Sequence, residues 1–268
     1  MTLFCSDIDG TLLDSHRTLS ARTVAAIRAV REAGHSFVLC SSRMPSSMAA
    51  LDRLAGGGGV PLIAYNGGLV VRRDGTVAID EHIAPEDARL VYDTCAGLDL
   101  HASFFAQNRW YAWGSDRWTR REVNHTAVEP APESAHDYAS PGRIESEPPH
   151  KVMGMGDAAL VDELERVLAG RPGLVTYRSK DTYLEVASAA CSKGAGVAAV
   201  ARELGADLAD TVFYGDNDND LSAFAVVGTS VAVANAKPHV LAAAHETTAA
   251  HHSDGVALHL EDWLSRRG

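Results

Sequence analysis

Basic residues, long apolar runs and paired cysteines are all scarce in this chain. Lys and Arg number 24 against 35 Asp and Glu, a net charge of −11. Gripping a nucleic-acid backbone requires a basic face, so no nucleic-acid partner is expected. No stretch approaches the ~20 apolar residues of a membrane helix. Residues 1–7 lack the basic start and long apolar core of a secretory signal. The expectation is a soluble, cytoplasmic protein with no membrane partner. The four cysteines, Cys5, Cys40, Cys95 and Cys191, include no C-x-x-C pair. That speaks against a zinc site or a disulfide framework and fits a reducing compartment. Gly56 to Gly59 are followed by no Gly-Lys-Ser/Thr, which excludes a Walker-type phosphate loop and leaves a flexible connection. Internal repeats and sustained low-complexity tracts are also missing.

What is present is enough apolar material, 46% of 268 residues, for one large core and a smaller one. Short apolar runs alternate with amphipathic stretches. Strands are expected over Leu3–Cys5, Phe37–Cys40, Leu62–Tyr65, Thr211–Tyr214 and Ser230–Val233. Helices are expected over 21–33, 46–55, 194–204, 238–244 and 254–266, with Ser20 as N-cap and Gly34 as stop signal of the first. Asp74-Gly75 marks a hairpin. This alternation predicts an α/β, doubly wound parallel sheet.

From Ala84 the texture changes. Residues 86–97 and 157–168 are expected to be helical. His101–Phe105, Arg109–Trp113, Val152–Met155, Leu174–Tyr177 and Tyr183–Val186 are strand candidates. Glu129 to Pro149, rich in proline, serine and acid, is expected to be a long surface connection. The core is therefore assigned to 1–83 and 188–268, with 84–187 as an inserted α+β cap.

The first fourteen residues organise the chemistry. A short apolar run ends in Asp7-Ile8-Asp9-Gly10-Thr11. Side chains two apart on an extended segment point the same way. Asp7 and Asp9 thus leave a buried strand as a carboxylate pair, at the strand end where open α/β sheets bind ligands. Two such acids repel by roughly 4 kcal/mol at intermediate dielectric, and a cation would relieve that. The alternative is an Asp-Gly turn that happens to carry a second acid. Three further stretches bear on the choice: Cys40-Ser41-Ser42-Arg43, Ser192-Lys193-Gly194, and Gly215-Asp216-Asn217-Asp218-Asn219-Asp220. The last is no calcium loop, because its sixth and twelfth positions are Leu221 and Val227 rather than glycine and glutamate.

An aspartate pair, a hydroxyl, a lysine and an acid cluster, in that order, resemble the haloacid dehalogenase superfamily of phosphohydrolases. Tyr65-Asn66-Gly67-Gly68 and Asp254-Gly255-Val256-Ala257 narrow the resemblance to its Cof-like branch. The resemblance implies a Rossmann-like core with a cap inserted between the second and third motifs. It makes Asp7 the nucleophile of an aspartyl-phosphate mechanism and Asp9 the general acid and base. It implies Mg²⁺ held by Asp7, Asp216 and the Asp9 backbone carbonyl. Lys193 and Ser41 would hold the phosphoryl group, and Asn219 would contact phosphate or orient the lysine. Ser41 also fits a helix N-cap. Ser42 stands where the family commonly has glycine. Asp220 is read either as a support behind the metal ligands or as a helix cap, Asp218 as a solvated acid, and Thr11 as holding the turn.

Arg43 and Asn66 are read as substrate contacts or as ordinary core-to-loop hydrogen bonds. In the family the cap closes over the leaving group and excludes water. The candidates there are Trp110, Tyr111, Trp113, His150 and Arg178, although an aromatic strand also fits a core. The expected substrate is a small phosphorylated metabolite, a sugar phosphate foremost. A phosphosugar mutase using the same aspartate and a non-catalytic metal-dependent binder are the alternatives. Nothing in the sequence assigns an oligomeric state.

Overall fold

The structure, a computed structural model, describes residues 1–59 and 61–266. The chain divides into two compact units, Met1–Ile79 with Ser192–Gly268, and Asp80–Cys191. The expected cap limits, 84 and 187, fall inside the second unit.

The first unit begins with β1 (Leu3–Ser6), α1 (Ala21–Glu32), β2 (Ser36–Cys40), α2 (Pro45–Leu54), β3 (Leu62–Ala64), β4 (Leu69–Val71) and β5 (Val77–Asp80). The second contains α3 (Pro85–Leu98), β6 (His101–Ala106), β7 (Arg109–Tyr111), α4 (Arg117–Thr126), α5 (Ala135–Tyr138) and α6 (Arg143–Ser146). It continues with β8 (Lys151–Met155), α7 (Ala158–Leu168), β9 (Leu174–Lys180) and β10 (Tyr183–Ser188). The chain then completes the first unit with α8 (Lys193–Leu204), β11 (Thr211–Gly215), α9 (Leu221–Phe224), β12 (Thr229–Val233), α10 (Pro238–Ala243), β13 (Glu246–Thr248) and α11 (Gly255–Ser265).

The first sheet runs β13-β12-β11-β1-β2-β3-β4-β5. Its middle strands are parallel and buried on both faces, which is why they read as unbroken apolar runs. The register pairs Ser6 with Tyr214 on one side and with Leu39 on the other. The carboxyl ends of β1, β2 and β11 therefore lie side by side, at the point where the strand order reverses. Ser20 caps α1 by accepting from the Thr23 N–H at 3.0 Å, and the Asp74-Gly75 turn joins β4 to β5 with Thr76 N–H on Asp74.

The strand expected over Leu62–Tyr65 ends at Ala64, because Tyr65 and Asn66 adopt left-handed φ of 50° and 56°. Gly67 follows at φ 94°, and a Cβ there would stand 2.1 Å from the Ser192 carbonyl oxygen. The glycine lets the start of α8 seat directly against this turn. Gly56 to Gly59 are not merely a flexible connection. Asp52 collects them, its carbonyl accepting from Gly57 N–H at 2.8 Å and its carboxylate from Gly59 N–H at 2.7 Å.

The second unit is an antiparallel five-stranded sheet, β7-β6-β8-β10-β9, with α3 and α7 packed on it. The expectation of a surface connection over Glu129 to Pro149 is corrected. The stretch folds α5 and α6, and Ala135, Tyr138 and Ile144 are buried in this unit's apolar core. Its prolines and acids concealed three well-spaced apolar anchors. Helix α4 and strand β13 were not anticipated; the buried positions of α4 are Thr119, Glu122 and Thr126, so no apolar stripe marks it. Trp110 and Tyr111 are buried, stacked on Phe105 and Tyr138 at 5.7 and 4.3 Å. Both are core residues, not a platform for a ligand.

Candidate active site

Asp7 leaves the end of β1, 94% buried, with its N–H on the Tyr214 carbonyl of β11 at 2.9 Å. Asp216 follows β11, and Lys193 is the first residue of α8, capped by Ser192 accepting from Ala195 N–H. The Lys193 ammonium is fully buried and lies 2.8 Å from Asp7 Oδ1 and 2.6 Å from Asp220 Oδ1. The Asp220 carboxylate bonds on two sides. Its Oδ1 takes the lysine, while its Oδ2 accepts from the Asp216 and Asn217 N–H groups at 2.9 and 3.0 Å. It thereby caps the turn and supports the residue that presents Asp216.

Thr11 does more than hold a turn, since its hydroxyl donates to Asp216 Oδ1 at 2.6 Å. Gly10, at φ 84°, is equally tied to that carboxylate, for a Cβ there would stand 2.7 Å from Asp216 Oδ2. On the β2 side, Ser41 is buried and accepts from Arg43 N–H at 3.3 Å. It is not a helix N-cap, because α2 begins after Met44. Asn66 donates its N–H to the Ser41 carbonyl and accepts from Asn219 Nδ2 at 3.0 Å. Two of the expected site residues thus brace each other across the cluster. The Asn219 Oδ1 is buried with no hydrogen-bond partner, an acceptor facing unmet demand.

Arg43 is directed at Asp9, to whose two oxygens its Nε and Nη2 donate at 2.7 and 2.8 Å. A second guanidinium, that of Arg17, meets Asp9 Oδ1 at 2.6 Å. No motif marks Arg17 in the sequence. Asp218 is exposed, ion-paired with Lys237 and in hydrogen-bond contact with His239 Nε2, outside the cluster. Arg178, in the second unit, donates to Asp162, Glu165 and the Asp181 carbonyl.

Charge does not balance here. Asp7, Asp216 and Asp220 offer oxygens all within 4.8 Å of one another, against one buried ammonium. Burial pushes Asp7 well above the usual carboxylate range; Lys193 opposes that, while Asp220 and Asp216 add to it. Burial, then Asp220, pushes Asp216 up to about 6. Burial works against the Lys193 ammonium, but Asp220 and Asp7 outweigh it and hold its pKa well above the ordinary lysine value. The excess negative charge and the all-oxygen donor set fit a hard divalent cation.

A second ligand-like group, Asp80, His82 and His150, lies in the second unit. There Gln107 N–H donates to His150 Nδ1 at 3.2 Å, so Nε2 carries the ring proton and donates to Asp80 at 2.9 Å. Burial, then His82, holds this imidazole down to about 4. The His150 imidazole is neutral, and its Nε2 is already committed as a donor to the Asp80 carboxylate. All four cysteines are buried and unpaired.

The family model for haloacid dehalogenase-like hydrolases matches residues 4–260. A Haemophilus influenzae protein named "Putative phosphatase" is 30% identical over 260 residues, 96% of either chain. Among solved structures, a haloacid dehalogenase-like hydrolase from Bacteroides thetaiotaomicron superposes with TM-score 0.88 at 23% identity, covering 98% of this chain and 99% of the other. The subclass IIB sugar phosphatase BT4131 superposes with TM-score 0.81 at 20% identity, covering 98% and 99%. At those identities the structural likeness speaks for the fold.

Proposed function

The chain belongs to the haloacid dehalogenase-like hydrolase family, and from that premise we propose that it is a magnesium-dependent phosphomonoester hydrolase acting on small phosphorylated metabolites, sugar phosphates foremost. One observation carries the reading: the Asp7 carboxylate ends the central strand 2.8 Å from a fully buried ammonium and beside Asp216. A buried nucleophile flanked by cations is what attack on a phosphate dianion requires. The sugar phosphatase of the same fold supports the substrate class.

Asp7 attacks phosphorus through one carboxylate oxygen, the ester P–O bond breaks, and an aspartyl-phosphate forms. Asp9 gives its proton to the departing alkoxide, then takes one from the water that attacks the aspartyl-phosphate. Inorganic phosphate leaves, Asp7 is restored as the carboxylate and Asp9 as the protonated acid it began as. Lys193 stabilises the charge gathered on the phosphoryl oxygens, with Ser41 and the Asn219 carboxamide beside it. Mg²⁺, held by Asp7, Asp216 and the Asp9 carbonyl, would supply the remaining positive charge. The whole chain, incubated with a panel of sugar, nucleotide and aryl phosphates, is expected to release inorganic phosphate without a bisphosphate activator. Chelation with EDTA is expected to stop it and magnesium to restore it. Well-folded, magnesium-loaded protein that hydrolyses none of the panel would overturn the proposal, and strict dependence on a bisphosphate would favour the mutase.

Magnesium affinity should depend on pH through Asp216. A carboxyl with its pKa near 6 must release its proton before a cation can take its oxygens, so affinity is expected to rise between pH 5 and 7. Stability of the metal-free protein runs the other way. The folded chain keeps a proton that the unfolded chain releases near pH 4, so this group's contribution falls as pH climbs from about 4 to about 6. Calorimetric titration of magnesium at pH 5, 6 and 7 checks the first claim, and flat affinity would refute it.

A further inference from the structure

The short loop after the first motif is built to deliver a side chain. Asp14 Oδ1 accepts from the N–H groups of His16 and Thr18, both at 2.9 Å, and its Oδ2 accepts from the Thr18 hydroxyl at 2.9 Å. Backbone bonds from Asp14 N–H to Thr18 and from Arg17 N–H to Asp14 close the turn at 3.0 Å. At its tip Arg17 has φ 62°, a left-handed conformation that an arginine adopts only against a steric cost. Backbone strain of this kind tends to persist where a side chain has work to do. Here the guanidinium is brought to within 2.6 Å of Asp9 Oδ1.

An exposed ion pair would ordinarily be worth little. This one is not isolated. Asp9 is already gripped in fork fashion by Arg43, which is itself 93% buried and anchored to Ser47 at 3.2 Å. Arg43 sets the carboxylate from inside, and Arg17 closes on the same oxygen from the solvent side. Together they leave the carboxylate, 38% exposed, little freedom to rotate.

We propose that Arg17 is a positioning residue for Asp9, aiming the carboxyl group at the leaving-group oxygen so that proton transfer keeps pace with P–O cleavage. This rests on the phosphomonoester hydrolase reading above. In the step that forms the aspartyl-phosphate, which kcat/KM reports, a misaimed acid penalises only those substrates whose leaving group must be protonated; the later attack of water is common to all substrates. An alkoxide needs the proton, whereas p-nitrophenolate departs as the anion. Arg17 is therefore a determinant of which leaving groups the site handles, and not of phosphate binding.

The informative substitution is Arg17→Gly, because glycine accepts the left-handed backbone without steric cost. Its melting temperature is expected to equal or exceed that of the parent chain, so lost activity cannot be blamed on a collapsed loop. With magnesium present, kcat/KM on an alkyl phosphate such as glycerol phosphate or a hexose phosphate is expected to fall about tenfold, a fraction of the ~10²–10⁴ that general acid catalysis supplies. With p-nitrophenyl phosphate kcat/KM should change less than about twofold. Arg17→Lys, which keeps the charge on a shorter-reaching ammonium, should recover part of the alkyl phosphate rate. Equal losses on both substrates would overturn the inference, pointing to a direct phosphate contact; so would no loss on either. A parent chain that hydrolyses neither substrate would bring down the hydrolase reading itself. A parent active on both, with no selective loss in the glycine variant, would bring down the Arg17 inference alone.

Discussion

Asp7→Asn is expected to abolish phosphate release, a loss of about 10³-fold or more, while leaving the fold intact or slightly firmer. The carboxamide keeps the shape of the side chain and its hydrogen bond from Lys193 but cannot form the acyl phosphate on which turnover depends. Stability moves the other way because of what the carboxylate faces. Burial already pushes Asp7 well above the ordinary carboxylate range, and Asp220 and Asp216 repel its ionised form. Removing that charge takes one of three crowded carboxylates out of the cluster. Phosphate release over long incubations, together with urea denaturation in EDTA at pH 7, checks both halves. Residual turnover within tenfold of the parent would show that another group attacks phosphorus.

Lys193→Met is expected to be the most damaging substitution for the molecule as a whole. The ammonium is wholly buried between Asp7 and Asp220, at 2.8 and 2.6 Å. Methionine fills similar space, yet it leaves two buried carboxylates facing Asp216 with no protein cation among them. Breaking one side of a buried ion pair costs about 3–5 kcal/mol, a large fraction of a domain's stability. Loss of the transition-state charge partner is expected to lower kcat by about 10²–10³ beyond any unfolding. The variant should regain stability as pH is lowered from 7 to 5, since protonation relieves carboxylates that burial already holds up. Pairing it with Asp220→Asn should cost less than the sum of the two single changes, because the second removes a charge stranded by the first. Urea denaturation of all four proteins measures this, and strict additivity would argue against the pairing.

The acids, the lysine and the serine were legible because each sits at the end of a locally recognisable element. Asp7 follows an apolar run, Lys193 follows a capping serine, and Asp216 follows the apolar β11 and its glycine. Periodicity and turn chemistry suffice for that, and the order of the motifs supplied the family. The second unit resisted the same reading. Its burial is discontinuous, three apolar anchors within a proline-rich stretch, and Arg178 turned out to be held by α7 acids.

By itself the sequence determined which side chains would emerge at the carboxyl ends of the strands, since alternation along a strand and the stop signals of helices are local properties. Only the tertiary structure decided which of them meet. Thr11 finds Asp216 across 205 residues and Asn219 finds Asn66 across 153, contacts set by the parallel register of β11, β1, β2 and β3. Arg17 reaches Asp9 only because a tight turn holds an arginine in a conformation its own preferences disfavour. Local spacing cannot encode such meetings: they follow from strand order and packing, which pool contributions from the whole chain.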